Sequence, residues 1–452
     1  MSGKTILVWF RNDLRIHDNE ILLEAILKAS QIIPVYIFDP RYYTKTDFGN
    51  LKTGKFRAKF TLESVADLKL SLQNLGGDLL VLSGRPEELL PQLVKEYHVD
   101  EVYHHREVAS EETEISSEVE DALWKTQINL KHFIGHTLYH KEDLPFPIKD
   151  IPDVFSKFRK KTEREGQIRA VFASPEKITI PGNLQNSEIP SLEDLGFESF
   201  EEDPRRVIDF KGGESAGMER LNYYLWQSDG LKNFKQKKNG LLGANYSSKL
   251  SPWLAAGCVS PREVYWEVKK YEKERGTSDS TDVLIFELLW RDYFRFMFKK
   301  HGTQYFVHDE LSNNYPHDFA HQKEVFELWK NGKTGLPFID ANMRELNLTG
   351  FMSNRGRQNV ASYLVNDLQV NWVWGASYFE EQLIDYSPST NWGNWAYVAG
   401  ISNDPKENRH CNVYKQAKDS DPKAEYVKTW LPELAELSPD KLLDMNEISL
   451  QD

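Results

Sequence analysis

The chain has 452 residues, too many for one hydrophobic core, so two or three domains are expected. A formal charge of −13 argues against a general nucleic-acid coat, because phosphate binding depends on Lys and Arg releasing counterions, but it leaves room for a local basic face. Two cysteines and twelve scattered His exclude a disulfide framework and offer no metal-ligand spacing, and no run of about eighteen apolar residues reads as a membrane span, so no metal and a soluble, cytoplasmic chain are expected.

The N-terminus opens with KTILVWF, a short, apolar, β-rich run that reads as a buried strand. A polar loop, RNDLRIHDN, leads to an amphipathic helix, EILLEAILKAS. IIPVYIFDP and DLLVLSG read as further strands, residues 55–75 and PEELLPQLVKEY as helices, and DEVYHHRE as a fourth strand. Strands alternating with helices predict a doubly wound, Rossmann-like α/β domain with a parallel sheet over residues 1–144. Ligands of such sheets sit at the carboxyl ends of the strands, which here carry Arg11, Asn12, Asp13, Phe38, Asp39, Arg106 and Glu107. Neither GxGxxG nor GxxxxGK[ST] is present, so any cofactor there is held without a standard phosphate loop.

Residues 145–213 have weak periodicity and accumulate Pro, Lys and Glu, as expected of an inter-domain connector. From 214 to 432 the apolar positions recur three and four apart between Gly and Pro, which predicts an all-α domain followed by a short acidic tail over 433–452.

Three stretches of the helical part carry chemistry. Residues 336–404 pack Trp372, Trp374, Trp392 and Trp395 among Asn354, Asn391, Arg344, Arg355, Arg357 and Asp385. Flat rings beside amide and guanidinium donors suit a flat, hydrogen-bonding ligand such as a flavin; the alternative is an aromatic core with polar caps. In YSSKLSPWLAAG, the hydroxyls and cation of Ser247, Ser248, Lys249 and Ser251 at a helix start suit a diphosphate, although Ser251 also reads as a simple N-cap. In FELLWRDYFRF, Glu287, Trp290 and Arg291 lie within one helical turn, as a ligand face or as an ordinary Glu/Arg helix pair.

FRNDLRIHDN, YSSKLSPWLAAGCVSPRE, ELLWRDYFRF, GLPFIDANMRELNLTGFMSNRGRQNVASYL and NWGNWAYVAGISNDP together resemble the photolyase/cryptochrome family, in particular its cryptochrome-DASH branch, over nearly the whole chain. The resemblance implies FAD in the helical domain and an antenna chromophore, commonly 5,10-methenyltetrahydrofolate, in the α/β domain. By position, Ser247, Ser248, Lys249, Leu250 and Ser251 correspond to the FAD phosphate loop, and Arg291, Asn354, Arg357, Asp385 and Asn391 to flavin and ribityl contacts, with Asn391 facing flavin N5. Trp395 and Trp372 correspond to the proximal and middle members of the electron-transfer tryptophan chain, whose usual distal Trp is here Phe319; Trp329, Trp374 and Tyr315 are candidate exits in its place. Glu287, Trp290, Gln358 and Tyr397 correspond to the lesion pocket, and Glu107 to the acid that contacts the antenna. Read from the residues alone, Lys232, Lys235, Lys237, Lys238, Arg344, Arg355 and Arg409 are candidates for a basic rim around the pocket mouth, with solvated helix faces as the alternative. Phe38, Asp39 and the Arg11 loop are weaker antenna candidates.

The resemblance therefore implies light-driven repair of cyclobutane pyrimidine dimers by a monomer, with single-stranded DNA favoured because Tyr397 and Gln358 make a weaker clamp. A light-sensing cryptochrome without repair is the rival, which the absence of a long extension after the helical part disfavours. Asn354 and Gln358 stand where six-four photolyases carry a His pair, which disfavours that chemistry. Ser387 and Phe234 also depart from the pattern, standing in place of an Asp and a Tyr.

Overall fold

In the computed structural model, residues 3–302, 319–401 and 410–445 are described, apart from the side chains of residues 319–321. Five parallel strands, β1 (Thr5–Phe10), β2 (Gln31–Phe38), β3 (Leu80–Ser83), β4 (Glu101–His105) and β5 (Asn129–Phe133), form a sheet in the order β3-β2-β1-β4-β5. Every residue of β1 is buried, as the apolar run from Ile6 to Phe10 demands of a strand covered on both faces. Pro34 is tolerated inside β2 because pairing with β3 starts only at Val35, so no ladder hydrogen bond is forfeited on that side.

Helices α1 (Glu20–Lys28), α2 (Lys55–Asn74), α3 (Pro86–Glu96) and α4 (Ser110–Trp124) cover the sheet, and the Asn19 side chain caps α1 by accepting from Leu22 N–H. The reading of four strands falls one short. β5, with the sequence NLKHF, is a partly exposed edge, so it lacks the apolar run that marks the central strands. Strand order reverses between β1 and β4, and the loops leaving these two strands bound the crevice where ligands of open α/β sheets bind.

The connector contains a helix that weak periodicity conceals, α5 (Phe155–Glu165). Phe155, Phe158 and Thr162, on one face, are its buried residues. The rest of the connector lies along the sheet domain: Ile178 N–H donates to the Leu75 carbonyl, Ile32 N–H to Thr179, and Gly212 N–H to Glu63.

The helical part follows as α6 (Glu214–Asn222), α7 (Phe234–Lys237), α8 (Ser251–Ala255), α9 (Pro261–Arg275), α10 (Asp279–His301), α11 (Phe319–Lys330), α12 (Pro337–Thr349), α13 (Asn354–Ser362), α14 (Trp372–Gln382), α15 (Pro388–Val398), α16 (Val413–Ser420), α17 (Glu425–Trp430) and α18 (Pro439–Met445). A reciprocal Ser278–Thr281 capping box starts α10, the helix that carries Glu287, Trp290 and Arg291. α15 is formed by NWGNWAYV, which the sequence offers as ligand-binding residues rather than as a helix; Pro388 at its first turn sets the start. One core cluster runs from a sheet face through α5 into α9 and α10, and a second runs through α11–α18.

Candidate functional site

The loop before α8 turns on Lys249, whose backbone is left-handed at φ 55°. Its side chain is buried, with Nζ 3.0 Å from the Tyr246 ring centroid and without a hydrogen-bond partner. Burial pulls the Lys249 ammonium well below the ordinary lysine range, while the Glu345 charge pulls the other way. The Tyr246 hydroxyl is also buried and unpartnered. Arg220 braces the loop from behind by donating to the Ser247 carbonyl at 3.2 Å and to Ser248 at 2.8 Å. α8 itself spans only five residues, so its dipole is a lesser contributor than the sequence suggests, and the unpartnered cation is the stronger feature.

Asp385 accepts from Arg357 Nη2 at 2.9 Å through one oxygen, while its other oxygen, Oδ1, is buried without a partner. Arg357 also donates to the Met352 carbonyl, which fixes the pair against the start of α13. On α15, Ser389 Oγ is buried and unpartnered, and Asn391 Nδ2 donates to the Ala376 carbonyl at 3.0 Å. Buried polar groups are normally satisfied, so orphaned donors on the loop and an orphaned acceptor near α15 have the chemistry of ligand-binding groups. Lys249 Nζ and Tyr246 OH suit a diphosphate, and Asp385 Oδ1 suits a ring N–H or sugar hydroxyl, so these residues fit FAD.

Trp395 packs edge-on to Phe379 at 5.1 Å and to Trp329 at 6.2 Å. Trp372 is fully buried and meets Trp392 at 5.7 Å and 79°. The Phe319 side chain, Tyr315 and Arg409 lie outside the described residues. On α10, Trp290 stacks on Phe155 of α5 at 3.6 Å and 11°, and the Tyr397 ring stands at 78° to it, 6.0 Å away. Glu287, one turn earlier, is half-exposed and pairs with Lys238 at 2.5 Å.

Other sequence-derived residues have partners or exposures that the sequence does not show. Arg291 is half-buried and its guanidinium donates to the carbonyls of His136 and Leu254, so it links the sheet domain to the helical part. Burial lowers it to about 10. Asn354, at the first position of α13, and Gln358 are exposed, and Arg355 is partly so. Arg344 is engaged by Glu433 at 2.5 Å and packs beside Gly332. Glu107 is buried, accepting from Asn12 at 3.0 Å and Arg295 at 2.7 Å. Burial alone would raise its carboxyl, but His136 and Arg295 hold it well below the usual range. Each carboxylate oxygen thus holds one donor and keeps acceptor capacity for another. The cavity that opens here, of about 340 Å³, is lined by Arg11, Asn12, Phe38, Asp39, Tyr42, Tyr386 and Trp392 between the sheet and α15. Sequence reasoning did not single out Tyr246 or Ser389 as site residues; a tyrosine just before the Ser-Ser-Lys run was the available signal for the first.

The two halves of the chain match family models in the same order: the description DNA photolyase over residues 6–177, and FAD binding domain of DNA photolyase over residues 284–452. A cryptochrome DASH from Gloeobacter violaceus is 51% identical over 97% of this chain and 88% of its own length.

The chain belongs to the photolyase/cryptochrome family, in its cryptochrome-DASH branch.

A cryptochrome DASH from Xenopus laevis is 47% identical over 97% of this chain and 84% of its own length. The crystal structure of a Synechocystis cryptochrome superposes with a TM-score of 0.93 at 47% identity, covering 98% of this chain and 91% of that one. A more distant archaeal photolyase from Sulfolobus tokodaii, described as holding two FAD molecules, gives 0.80 at 27% identity, covering 98% and 93%. The photolyase fold is thus shared end to end; the orphaned atoms of Asp385 and Ser389 lie within the stretch matched as the FAD-binding domain, and the Lys249 loop precedes it.

Proposed function

We propose that this cryptochrome-DASH chain repairs cyclobutane pyrimidine dimers in light, with single-stranded DNA as its preferred partner. The observation that carries the reading is the Trp290–Tyr397 corner: two rings 6.0 Å apart and nearly perpendicular, beside the half-exposed Glu287. Such a corner offers an indole face and a carboxylate to a flat, polar lesion. Bound FAD supplies the chemistry, an excited-state electron that opens the cyclobutane ring. The protein's own residues bind and orient. Lys249 and Tyr246 take the diphosphate, and Asp385, fixed by Arg357, accepts from the flavin or its sugar chain. Asn391, oriented by the Ala376 carbonyl, presents an amide that has no readily ionised proton.

Phe155 holds one face of Trp290 and leaves recognition to the other. With Tyr397 and the exposed Gln358 as weak clamps, extracting a dimer from a duplex has less compensation, and unpaired strands become better substrates. In this reading the antenna, methenyltetrahydrofolate, is held by the sheet domain, and the chain works as a cytoplasmic monomer. Among the described residues no helix is long and apolar enough to cross a membrane.

The second reading, light sensing without repair, is favoured by two engaged side chains: Glu287 is paired with Lys238, and Arg344 with Glu433. Illuminating the chemically reduced holoprotein with ultraviolet-damaged oligonucleotides, single-stranded and duplex, separates the two. Recovery of thymine absorbance, faster on single strands, is expected. No recovery on either strand, with light-driven flavin reduction intact in a parallel sample that starts oxidised, would favour the sensor.

A further inference from the structure

The buried indole of Trp372 does not end in a cul-de-sac. Its ring meets Trp392 edge-on at 5.7 Å, and Trp392 Nε1 donates to the Tyr386 hydroxyl at 3.1 Å. The Glu380 carboxylate is a close electrostatic neighbour of that phenol. Trp392, Tyr386 and Glu380 all line the cavity between the sheet domain and the helical domain. The Arg57 guanidinium lies 4.6 Å from the centre of the Tyr386 ring. Three oxidisable rings in series, the last sharing a cavity wall with a carboxylate, have the composition of a relay.

We propose that Trp392 and Tyr386 form an electron-transfer branch from Trp372 to the inter-domain cavity, with Glu380 as the acceptor of the phenolic proton. The inference rests on the flavin reading above, since a photoexcited oxidised flavin is the oxidant that removes the first electron. The hole then passes from Trp372 to Trp392. In the last step the Trp392 radical cation takes one electron from Tyr386 while the phenolic proton moves to Glu380. The products are neutral Trp392, a neutral phenoxyl radical and a protonated carboxyl, so charge and protons balance. A small thiol or ascorbate in the cavity returns one electron to the phenoxyl oxygen, and Glu380 returns the proton.

Arg57 decides the form of the step. A guanidinium over the ring face opposes a positive charge on that ring, so Tyr386 can be oxidised only as its proton leaves. Glu380 is placed to take it. The charged groups facing Glu380 are Arg57 from α2, Lys52 from the loop before it and Glu111 from α4, and burial pushes the carboxyl up to about 7. A raised carboxyl binds a proton more readily than an ordinary one. The branch also accounts for how a chain with Phe at the usual distal position can still move electrons outward.

The test uses the flavin-loaded full chain, illuminated with ascorbate and followed by transient absorbance and freeze-quench electron paramagnetic resonance. A tryptophanyl signal giving way to a tyrosyl signal is expected in the wild type. Tyr386→Phe and Trp392→Phe should abolish the tyrosyl signal. Glu380→Gln should slow its appearance by about a hundredfold, the usual weight of a positioned base, and remove its dependence on solvent deuteration. Flavin content and urea midpoint, measured on each variant, separate loss of the relay from loss of the fold, and Tyr386→Phe keeps the ring and its packing. A tryptophanyl signal with no tyrosyl successor, or a tyrosyl signal that survives Tyr386→Phe, overturns the branch alone. Absence of any light-driven radical in the wild type overturns the flavin reading and the branch with it.

Discussion

A methyl group built on Gly375 would meet the Trp395 ring at 2.3 Å and Leu364 at 2.6 Å, so the indole lies directly on the α14 backbone. Gly375→Ala should destabilise the fold by about 1–3 kcal/mol, as overpacking of a filled core does. It should also displace Trp395 and slow light-driven flavin reduction; chemical denaturation and photoreduction rates check the two effects. Trp395→Phe removes the oxidisable ring but keeps most packing, so photoreduction should slow while repair by chemically prereduced protein stays nearly intact. Glu345 gives a pH test. It is buried, accepts from the Tyr426 hydroxyl at 2.7 Å, and burial pushes its carboxyl up to about 7. A carboxyl raised in the folded state contributes fully below its unfolded value and loses that contribution as pH rises through about 7. Unfolding free energy should therefore fall between pH 5 and pH 8, by on the order of 3 kcal/mol at most, and Glu345→Gln should flatten the fall.

At the scale of elements, α5 shows what periodicity misses. Its buried residues, Phe155, Phe158 and Thr162, follow helical spacing, but the helix is only eleven residues long and lies among Pro, Lys and Glu, so the sequence read as connector. The central strands and α10 were legible because long apolar runs leave few alternatives. α15 was not, since Gly, Asn and aromatics have modest helix propensity and the stretch read as chemistry first. Phe155 stacks on Trp290, so the connector supports the proposed lesion corner. The same helix exposes Lys157 and Lys160 on its outer face, without an ion pair among the described residues. Replacing both with Glu should weaken binding of single-stranded oligonucleotides and lower the salt dependence of what remains, with flavin content unchanged. An unaltered salt slope in fluorescence-anisotropy titrations would remove α5 from the DNA surface.

For the molecule as a whole, the junction between domains is polar and close-fitting, which composition alone does not reveal. The loop FRNDLRIHDN carries residues that could serve a ligand or an interface equally well. Folding divides the work, with Arg11 and Asn12 lining the cavity while Arg15 donates to the carbonyls of His17, Asp18, Gly135 and Gly257. Gly257 must be glycine here, since its φ is +69° and a Cβ would sit 1.8 Å from the Asn12 carbonyl oxygen. Asp18 ties three segments together. Its carboxylate accepts from Arg262 Nε at 2.9 Å and Nη2 at 2.7 Å, from Ser260, and from Phe172 N–H at 2.9 Å, all in a site closed to water. Asp18→Asn keeps the shape but leaves the Arg262 cation buried without a counter-charge, a change that costs about 3–5 kcal/mol. Because Asp18 belongs to the sheet domain, Phe172 to the connector and Arg262 to α9, the loss should lower one common transition. Far-ultraviolet circular dichroism, tryptophan fluorescence and flavin release should shift together on urea titration. A transition that splits in two, or a loss below about 1 kcal/mol, would mean that the junction is a docking contact between independent folding units instead of part of one cooperative core.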